Sequence, residues 1–324
     1  GNKAYAACEP DEGDVCNVIV LAGPAERDYL FAPVLGIDSG STGTQVAAAC
    51  KGLCGEPPEV PLDLVLVLDR TSSMEGSDTS NAVQASHSVR RSLRPALQRL
   101  GFAALGPSRI GQTCKTHPDP AIGQATAADL RRWVPVGLTG LGSGTGDYTS
   151  DASEMARAIE CVLSGNDGRP FNSSTGTDLA DPMRMATYEL DTYGRDDATK
   201  AILLVSDGQP NASTTGTRNY CQEASQAAAA AKAKGIEVFT VAFGVEGIPC
   251  DDPSGSSWYR RSAANLLADM ATDSVNDGAC PGSENDDGDH FFCVPKSEDL
   301  TGIFHKAIVT MSSHSRLIHV PDGA

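Results

Sequence analysis

The stretch Leu62–Leu68, LDLVLVL, constrains the fold more than any other. Six of its seven residues are apolar, with Asp63 the exception. A strand with one wet face alternates apolar and polar residues. A strand apolar at nearly every position is covered on both faces, as in a parallel sheet flanked by helices. Two further runs, Ala201–Ser206 and Ile236–Phe243, have the same character. Gly101–Gly106 and Trp133–Leu138 read as additional strands, the latter at an edge because of Pro135. Helical segments fall between them: a polar one over about 81–100, then Ser153–Leu163 and Asp178–Leu190. In the last of these Leu179, Met183, Ala186 and Leu190 share one face. An alanine-rich helix, CQEASQAAAAAKAK, is stopped by Gly235. A final helix keeps Leu300, Ile303, Phe304, Ala307, Ile308 and Met311 on one stripe. This alternation predicts an α/β fold, a doubly wound and mostly parallel sheet, over residues 61–312.

The ends read differently. Residues 1–60 hold short extended pieces, VCNVIVLAG and TGTQVAAAC, closed by the proline-rich linker Gly55–Pro61. SRLIHV near the C-terminus is another strand candidate. We expect 1–60 to form an accessory β segment, with 313–324 supplying a strand that pairs with it. No internal repeat is evident.

The formal charge of −17 argues against a nucleic-acid or anionic-membrane surface, both of which need clustered Lys and Arg. The ten cysteines are even in number, dispersed, and without zinc spacing. They read as five disulfides formed in an oxidising compartment. In sequence order the pairs are Cys8 with Cys16, Cys50 with Cys54, Cys114 with Cys161, Cys221 with Cys250, and Cys280 with Cys293. The opening residues lack a signal peptide's basic start and apolar core, and no apolar run reaches a membrane span of about 18–20 residues. The expectation is an extracellular or cell-surface chain, a processed or truncated ectodomain whose membrane link would be an absent N-terminal helix.

Ligands of open α/β sheets sit beyond the carboxyl ends of the strands. Three places put oxygen side chains there. Asp69, Thr71 and Ser73 follow the first strand, in DRTSSM. Asp207 follows AILLVS, and Thr177 precedes a helix in STGTDLADP. In DRTSS the alternate residues can point one way while Arg70 and Ser72 point elsewhere. Two carboxylates and three hydroxyls are hard donors that suit Mg²⁺, with Mn²⁺ or Ca²⁺ as substitutes. Asp178 reads as the cap of its helix rather than as a ligand.

DRTSSM, GTDLADPMRMA and ILLVSDGQPN resemble, in order, the three loops of the metal-ion-dependent adhesion site of von Willebrand factor A domains. The family pattern is Asp-x-Ser-x-Ser, a distant Thr, and a distant Asp before Gly; here Thr71 replaces the first Ser and keeps the hydroxyl. The resemblance implies a von Willebrand factor A (Rossmann-like) fold and a cation whose open position is filled by a carboxylate of a protein partner. It implies that Thr71, Ser73 and Thr177 bind the ion directly or nearly so, with Asp69 and Asp207 acting partly through water. A narrower resemblance is to bacterial tight-adherence (Flp-type) pilus-associated proteins, carried by VLDRTSSM, the Cys-containing stretch after the alanine-rich helix, the final helix with SRLIHV, and the N-terminal strand segment. It implies pilus components as partners.

The functional expectation is an adhesin rather than an enzyme. HExxH, GxSxG and P-loop motifs are missing, and a metal without a general base or nucleophile is weak support for catalysis. A structural pilus or envelope component whose metal only stabilises the fold is the alternative. Trp258 and Tyr259 read either as core residues or, because their loop follows Ile236–Phe243 on the expected metal face, as candidates for ligand contact. The acidic stretches PDEGD and NDDGDH lack full EF-hand spacing and read as solvated loops. Asn172 and Asn211 fit the glycosylation pattern.

Overall fold

The computed structural model describes residues 18–28, 39–50, 61–71, 73–74, 77–105, 136–140, 147–163, 176–207, 209–213, 216–245, 247–272, 289–294, 299–312 and 316–318. The chain divides into two compact units, Gly1–Pro58 with Val309–Ala324, and Glu59–Ile308.

In the first unit, β1 (Val18–Asp28) and β2 (Ser39–Cys50) form an antiparallel pair, interrupted by a register shift between Pro24 and Glu26. The short strand β9 (Arg316–Ile318) adds to β2, Ala49 opposite Leu317, so the sheet order is β1-β2-β9.

The second unit is an α/β fold around a six-stranded sheet. Its strands are β3 (Leu62–Leu68), β4 (Gln98–Ala104), β5 (Val136–Thr139), β6 (Thr199–Ser206), β7 (Glu237–Phe243) and β8 (Phe291–Val294). The order is β5-β4-β3-β6-β7-β8, parallel throughout except for the edge strand β5, which runs antiparallel to β4. The described helices of this unit are α1 (Ser77–Ser92), α2 (Glu154–Leu163), α3 (Ala180–Tyr193), α4 (Tyr220–Ala233), α5 (Ala263–Met270) and α6 (Leu300–Ser312), whose last turn enters the first unit. No described helix is long and apolar enough to cross a membrane.

All seven residues of β3 are buried. Val65 and Val67 join a core with Ile202, Leu204, Val238 and the inner faces of α3, α4 and α5. Leu64, Leu66 and Leu68 are equally buried and, by strand alternation, belong to the opposite face. This two-sided burial is why the strand is apolar at each position. Its one acid, Asp63, is fully buried but neutralised. The Arg195 guanidinium donates to it at 2.7 and 3.0 Å and the Arg195 backbone N–H at 2.6 Å. The remaining guanidinium hydrogens reach the carbonyls of Leu62 and Leu97, which satisfies the buried pair.

Two expected boundaries differ. The helix expected over about 81–100 stops at Ser92, and residues from Gln98 onward are strand β4. Pro95 cannot continue a helix, and the Arg94 carbonyl turns to accept from the N–H groups of Leu97 and Gln98. The alanine-rich helix ends as read: Gly235 has φ +74° and donates to the Lys232 carbonyl at 2.9 Å.

Candidate metal centre

Parallel pairing aligns the carboxyl ends of β3, β6 and β7, with Leu68 beside Val205 and Ser206 beside Ala242. Chain pairing continues one residue past β3, where the Asp69 N–H donates to the Val205 carbonyl at 2.9 Å. This fixes the Asp69 carboxylate at the sheet edge, 1% exposed. Its two oxygens accept from the Thr71 N–H at 2.8 Å and from the Ser206 hydroxyl at 2.6 Å. The first bond curls the chain into a tight turn. Arg70 points away from it, its Nε donating to the Leu105 carbonyl at 3.2 Å.

The curl brings the hydroxyls together. Thr71 Oγ1 lies 3.0 Å from Ser73 Oγ and 3.1 Å from Thr177 Oγ1, and Ser73 Oγ donates to Asp207 Oδ1 at 2.8 Å. One chain of contacts thus joins Thr177, Thr71, Ser73 and Asp207, with Asp69 bound to the backbone N–H of Thr71. Thr71 and Thr177 are buried while Ser73 is exposed, so the cluster is a cup whose mouth lies at Ser73.

Thr177 is positioned by the loop after Asp207. Its N–H donates to Asn211 Oδ1 at 2.8 Å, and its carbonyl accepts from the N–H groups of Asn211 and Ala212 at 3.0 and 3.3 Å. Gly176, at φ +40°, allows this approach: a Cβ there would lie 2.6 Å from both Ala212 Cβ and Asn211 Oδ1. Neighbouring Asp178 accepts from the N–H groups of Ala180 and Asp181, which caps α3.

The electrostatics are one-sided. No described Lys or Arg forms an ion pair with Asp69 or Asp207. Burial pushes the Asp69 carboxyl above the usual carboxylate range, against the pull of its hydrogen bonds. Asp207 is pushed up to about 7, first by burial and then by the negative charge of Asp69. One buried and one partly buried acid, without a cationic side chain paired to them among the described residues and ringed by hydroxyl oxygens, form a donor set that fits a hard divalent ion. The oxygen-only chemistry suits Mg²⁺ or Mn²⁺ over thiolate- and imidazole-seeking metals.

The other candidate residues separate. Trp258 is 4% exposed and belongs to the core, with the Arg261 guanidinium 4.1 Å over its ring, so the expectation that it contacts a ligand is corrected: the indole is covered. Tyr259 is 43% exposed. Cys221 and Cys250 are joined by a disulfide, and Cys293 is disulfide-bonded as well. No free thiol occurs among the described residues. The pairings of Cys8 with Cys16, Cys50 with Cys54, Cys114 with Cys161, and Cys280 with Cys293 each involve a residue outside the described ones. Asn172 and both acidic calcium-like stretches also lie wholly or mostly outside them. Sequence reading missed Ser206, Asn211 and Gly176. Asn211 was within reach of it, since it stands four residues after Asp207 in the same loop.

The family model of the von Willebrand factor type A domain matches residues 146–306, which include Thr177 and Asp207 but not the Asp69 loop. No curated protein sequence matches the chain. Among solved structures, the pilus adhesin SpaC from Lactobacillus rhamnosus GG aligns with a TM-score of 0.50 at 12% identity, over 83% of this chain and 32% of SpaC. Proximal thread matrix protein 1 from the mussel byssus aligns with a TM-score of 0.45 at 11% identity, over 80% of this chain and 48% of the mussel protein. The manganese-loaded TRAP protein of Plasmodium vivax aligns with a TM-score of 0.40 at 11% identity, over 80% of this chain and 77% of TRAP. This chain therefore spans about half of the mussel protein's length and a third of SpaC's. With its six-stranded, mostly parallel sheet flanked by helices, the α/β unit of this chain has the fold of a von Willebrand factor type A domain, the family whose model residues 146–306 match.

Proposed function

We propose that this domain is a cell-surface adhesion module. It binds a protein ligand through a divalent cation held by Asp69, Thr71, Ser73, Thr177 and Asp207, with a carboxylate of the partner completing the coordination. The observation that carries the reading is the pair of carboxylates, buried Asp69 and partly buried Asp207, linked through Thr71 and Ser73 and without an ion pair to any described Lys or Arg. A buried acid in this state costs several kcal/mol unless a cation joins it. The fold's likeness to SpaC, a pilus adhesin, supports a surface role of the same general kind. Mg²⁺ is the ion we assign, on the hardness of the donors and the open mouth that leaves room for water. Bound there, the ion supplies a local positive charge on a protein of net charge −17.

Isothermal titration of the metal-free protein with MgCl₂ and MnCl₂ tests the site. Saturable binding of about one ion per chain, lost in Asp69→Ala, is expected. Equal heats in wild type and Asp69→Ala would remove the assignment. A screen against cell-surface and matrix proteins, run in Mg²⁺ and in EDTA, tests the function: ligand capture that persists undiminished in EDTA would leave the ion a structural role.

A further inference from the structure

Beside the metal cup the domain carries a second, rigid surface whose chemistry is the reverse of the rest of the molecule. The loop from Gly244 to Ser262 leaves β7 at the sheet edge that bears the cup. It is tied to the Asp207 loop by a hydrogen bond from the Gln209 side chain to the Pro249 carbonyl. Its two ends pair with each other: Cys250 N–H donates to the Arg261 carbonyl at 2.6 Å, and Ala263 N–H to the Ile248 carbonyl at 2.8 Å. The disulfide to Cys221 anchors one side, and buried Asp252 accepts from the N–H groups of Cys221 and Gln222 and from the Ser256 hydroxyl. Trp258, sunk in the core, anchors the tip.

This frame holds Tyr259, Arg260 and Arg261 in the open. Arg260 has φ +59°, and among the described residues it is the one non-glycine residue with positive φ. A β-carbon in that region meets a steric penalty that glycine would avoid. The strain is retained at an exposed arginine, where packing does not call for it, and strained backbone of this kind gathers at ligand clamps. Each guanidinium lies over an aromatic ring, Arg260 over Tyr259 at 5.1 Å and Arg261 over Trp258 at 4.1 Å. Neither forms an ion pair with a described residue. Elsewhere in the domain Arg90, Arg91, Arg184, Arg195 and Lys234 are all paired with carboxylates. Arg157, Lys200 and Arg218 also lack an ion pair among the described residues; what sets Arg260 and Arg261 apart is that they are adjacent, exposed and each stacked on an aromatic ring.

We propose that Tyr259, Arg260 and Arg261 form an anion-reading patch for an acidic segment of the protein partner, alongside the cation site. The proposal rests on the reading of this sheet edge as the recognition face. Stacked guanidinium groups present paired N–H donors that match carboxylates two at a time, and exposed Tyr and Arg are the residues that most often anchor protein interfaces. A sulfated glycan is disfavoured, because a long polyanion needs basic charge spread over an extended surface, whereas two adjacent arginines offer a single short contact. The partner's segment would place one carboxylate on the ion and further carboxylates on the arginines.

The test uses fluorescence anisotropy with a labelled twelve-residue peptide of alternating Glu and Gly, its Gln–Gly counterpart, and labelled heparin. Each is titrated in MgCl₂ and in EDTA. We expect the Glu peptide to bind in both buffers, more tightly in MgCl₂, and the Gln peptide not to bind. Arg260→Gln/Arg261→Gln should bind the Glu peptide about tenfold more weakly in EDTA. Asp207→Ala should lose only the gain that MgCl₂ gives, so failure of the metal site and failure of the patch are separable. Arg260→Gln alone, whose side chain covers no core residue, guards against unfolding and should show part of the loss. Wild-type affinity of the double variant in EDTA, or equal binding of the Gln peptide, overturns the proposal. Arginine-dependent binding of heparin stronger than that of the Glu peptide also overturns it, and assigns the patch to a glycan.

Discussion

The buried acids of the cup make the metal-free domain less stable as pH rises, and the size of the effect follows from the structure. Asp207 has an ordinary carboxyl value of 3.8 that the fold pushes up to about 7. Between these values the folded chain binds more protons at Asp207 than the unfolded chain does, so unfolding becomes easier as pH rises through that window. A displacement of this size is worth at most about 4 kcal/mol at about 1.4 kcal/mol per pH unit. Asp178, also pushed up to about 7 by burial and then by Asp181, adds a contribution of the same sign. In EDTA the wild-type melting temperature should therefore fall from pH 5 to pH 8, by about 5–10 °C for the Asp207 part in a domain of this size. Asp207→Asn should remove that part and leave the Asp178 part. Excess MgCl₂ should restore the wild type at pH 8, where both cup carboxylates are free to bind, and do little at pH 5. Differential scanning calorimetry at the two pH values, with and without Mg²⁺, reads all of this. A wild-type melting temperature in EDTA that rises from pH 5 to pH 8, with Asp207→Asn following it in parallel, would refute the argument.

Three further outcomes are expected. Gly176→Ala should weaken Mg²⁺ affinity by about tenfold or more in calorimetric titration while sparing the fold, because the added carbon collides with Ala212 and Asn211 and displaces Thr177. Arg195→Met should destabilise the domain by about 3–5 kcal/mol in urea unfolding, since it leaves Asp63 buried and uncompensated, and added Mg²⁺ should recover none of that loss. Cys221→Ser/Cys250→Ser should cost about 3.6 kcal/mol, the value for releasing a closed loop of this length, and should also raise hydrogen exchange across residues 248–262.

What the sequence disclosed follows the physics of each element. Leu62–Leu68, Ala201–Ser206 and Ile236–Phe243 were legible because burial on both sheet faces favours an apolar residue at nearly every position. The cup was legible because hydroxyl and carboxylate residues at strand ends have few reasons to recur in that spacing. Helix α5 and strand β8 were not foreseen. One has eight residues and the other four, too short to show a period. Strand β4 was hidden at its start, since Gln98 and Arg99 are half-exposed and polar and read as the end of a helix. For Trp258 the sequence left core and ligand contact both open. Its neighbours are polar, and only the tertiary fold shows the loop turning inward at the indole and closing over it with Arg261. Asn211 was passed over as a glycosylation pattern, whereas its amide oxygen holds the Thr177 N–H.

The two acids at the ends of the first core strand differ in how the chain balances them. Asp63 and Asp69 lie six residues apart on the same run, and both are buried. At the Asp63 end the chain supplies its own counter-charge: Arg195 engages both carboxylate oxygens and then uses its remaining hydrogens on two backbone carbonyls. That end is electrostatically closed, and nothing is left for a ligand to gain. At the Asp69 end the partners are a backbone N–H and a serine hydroxyl, which orient the carboxylate without neutralising it. Asp207 brings a second negative charge toward the first rather than a positive one. Such an arrangement is unfavourable for the chain alone, by several kcal/mol for each unpaired buried charge. Below about pH 7 a proton offsets the charge of Asp207; above it, in the site proposed here, a divalent ion would offset both acids at once. The hydroxyls of Thr71, Ser73 and Thr177 then act as neutral donors that fill coordination positions without adding further repulsion. The same strand that builds the core therefore ends, on one side only, in a charge that the protein cannot balance by itself.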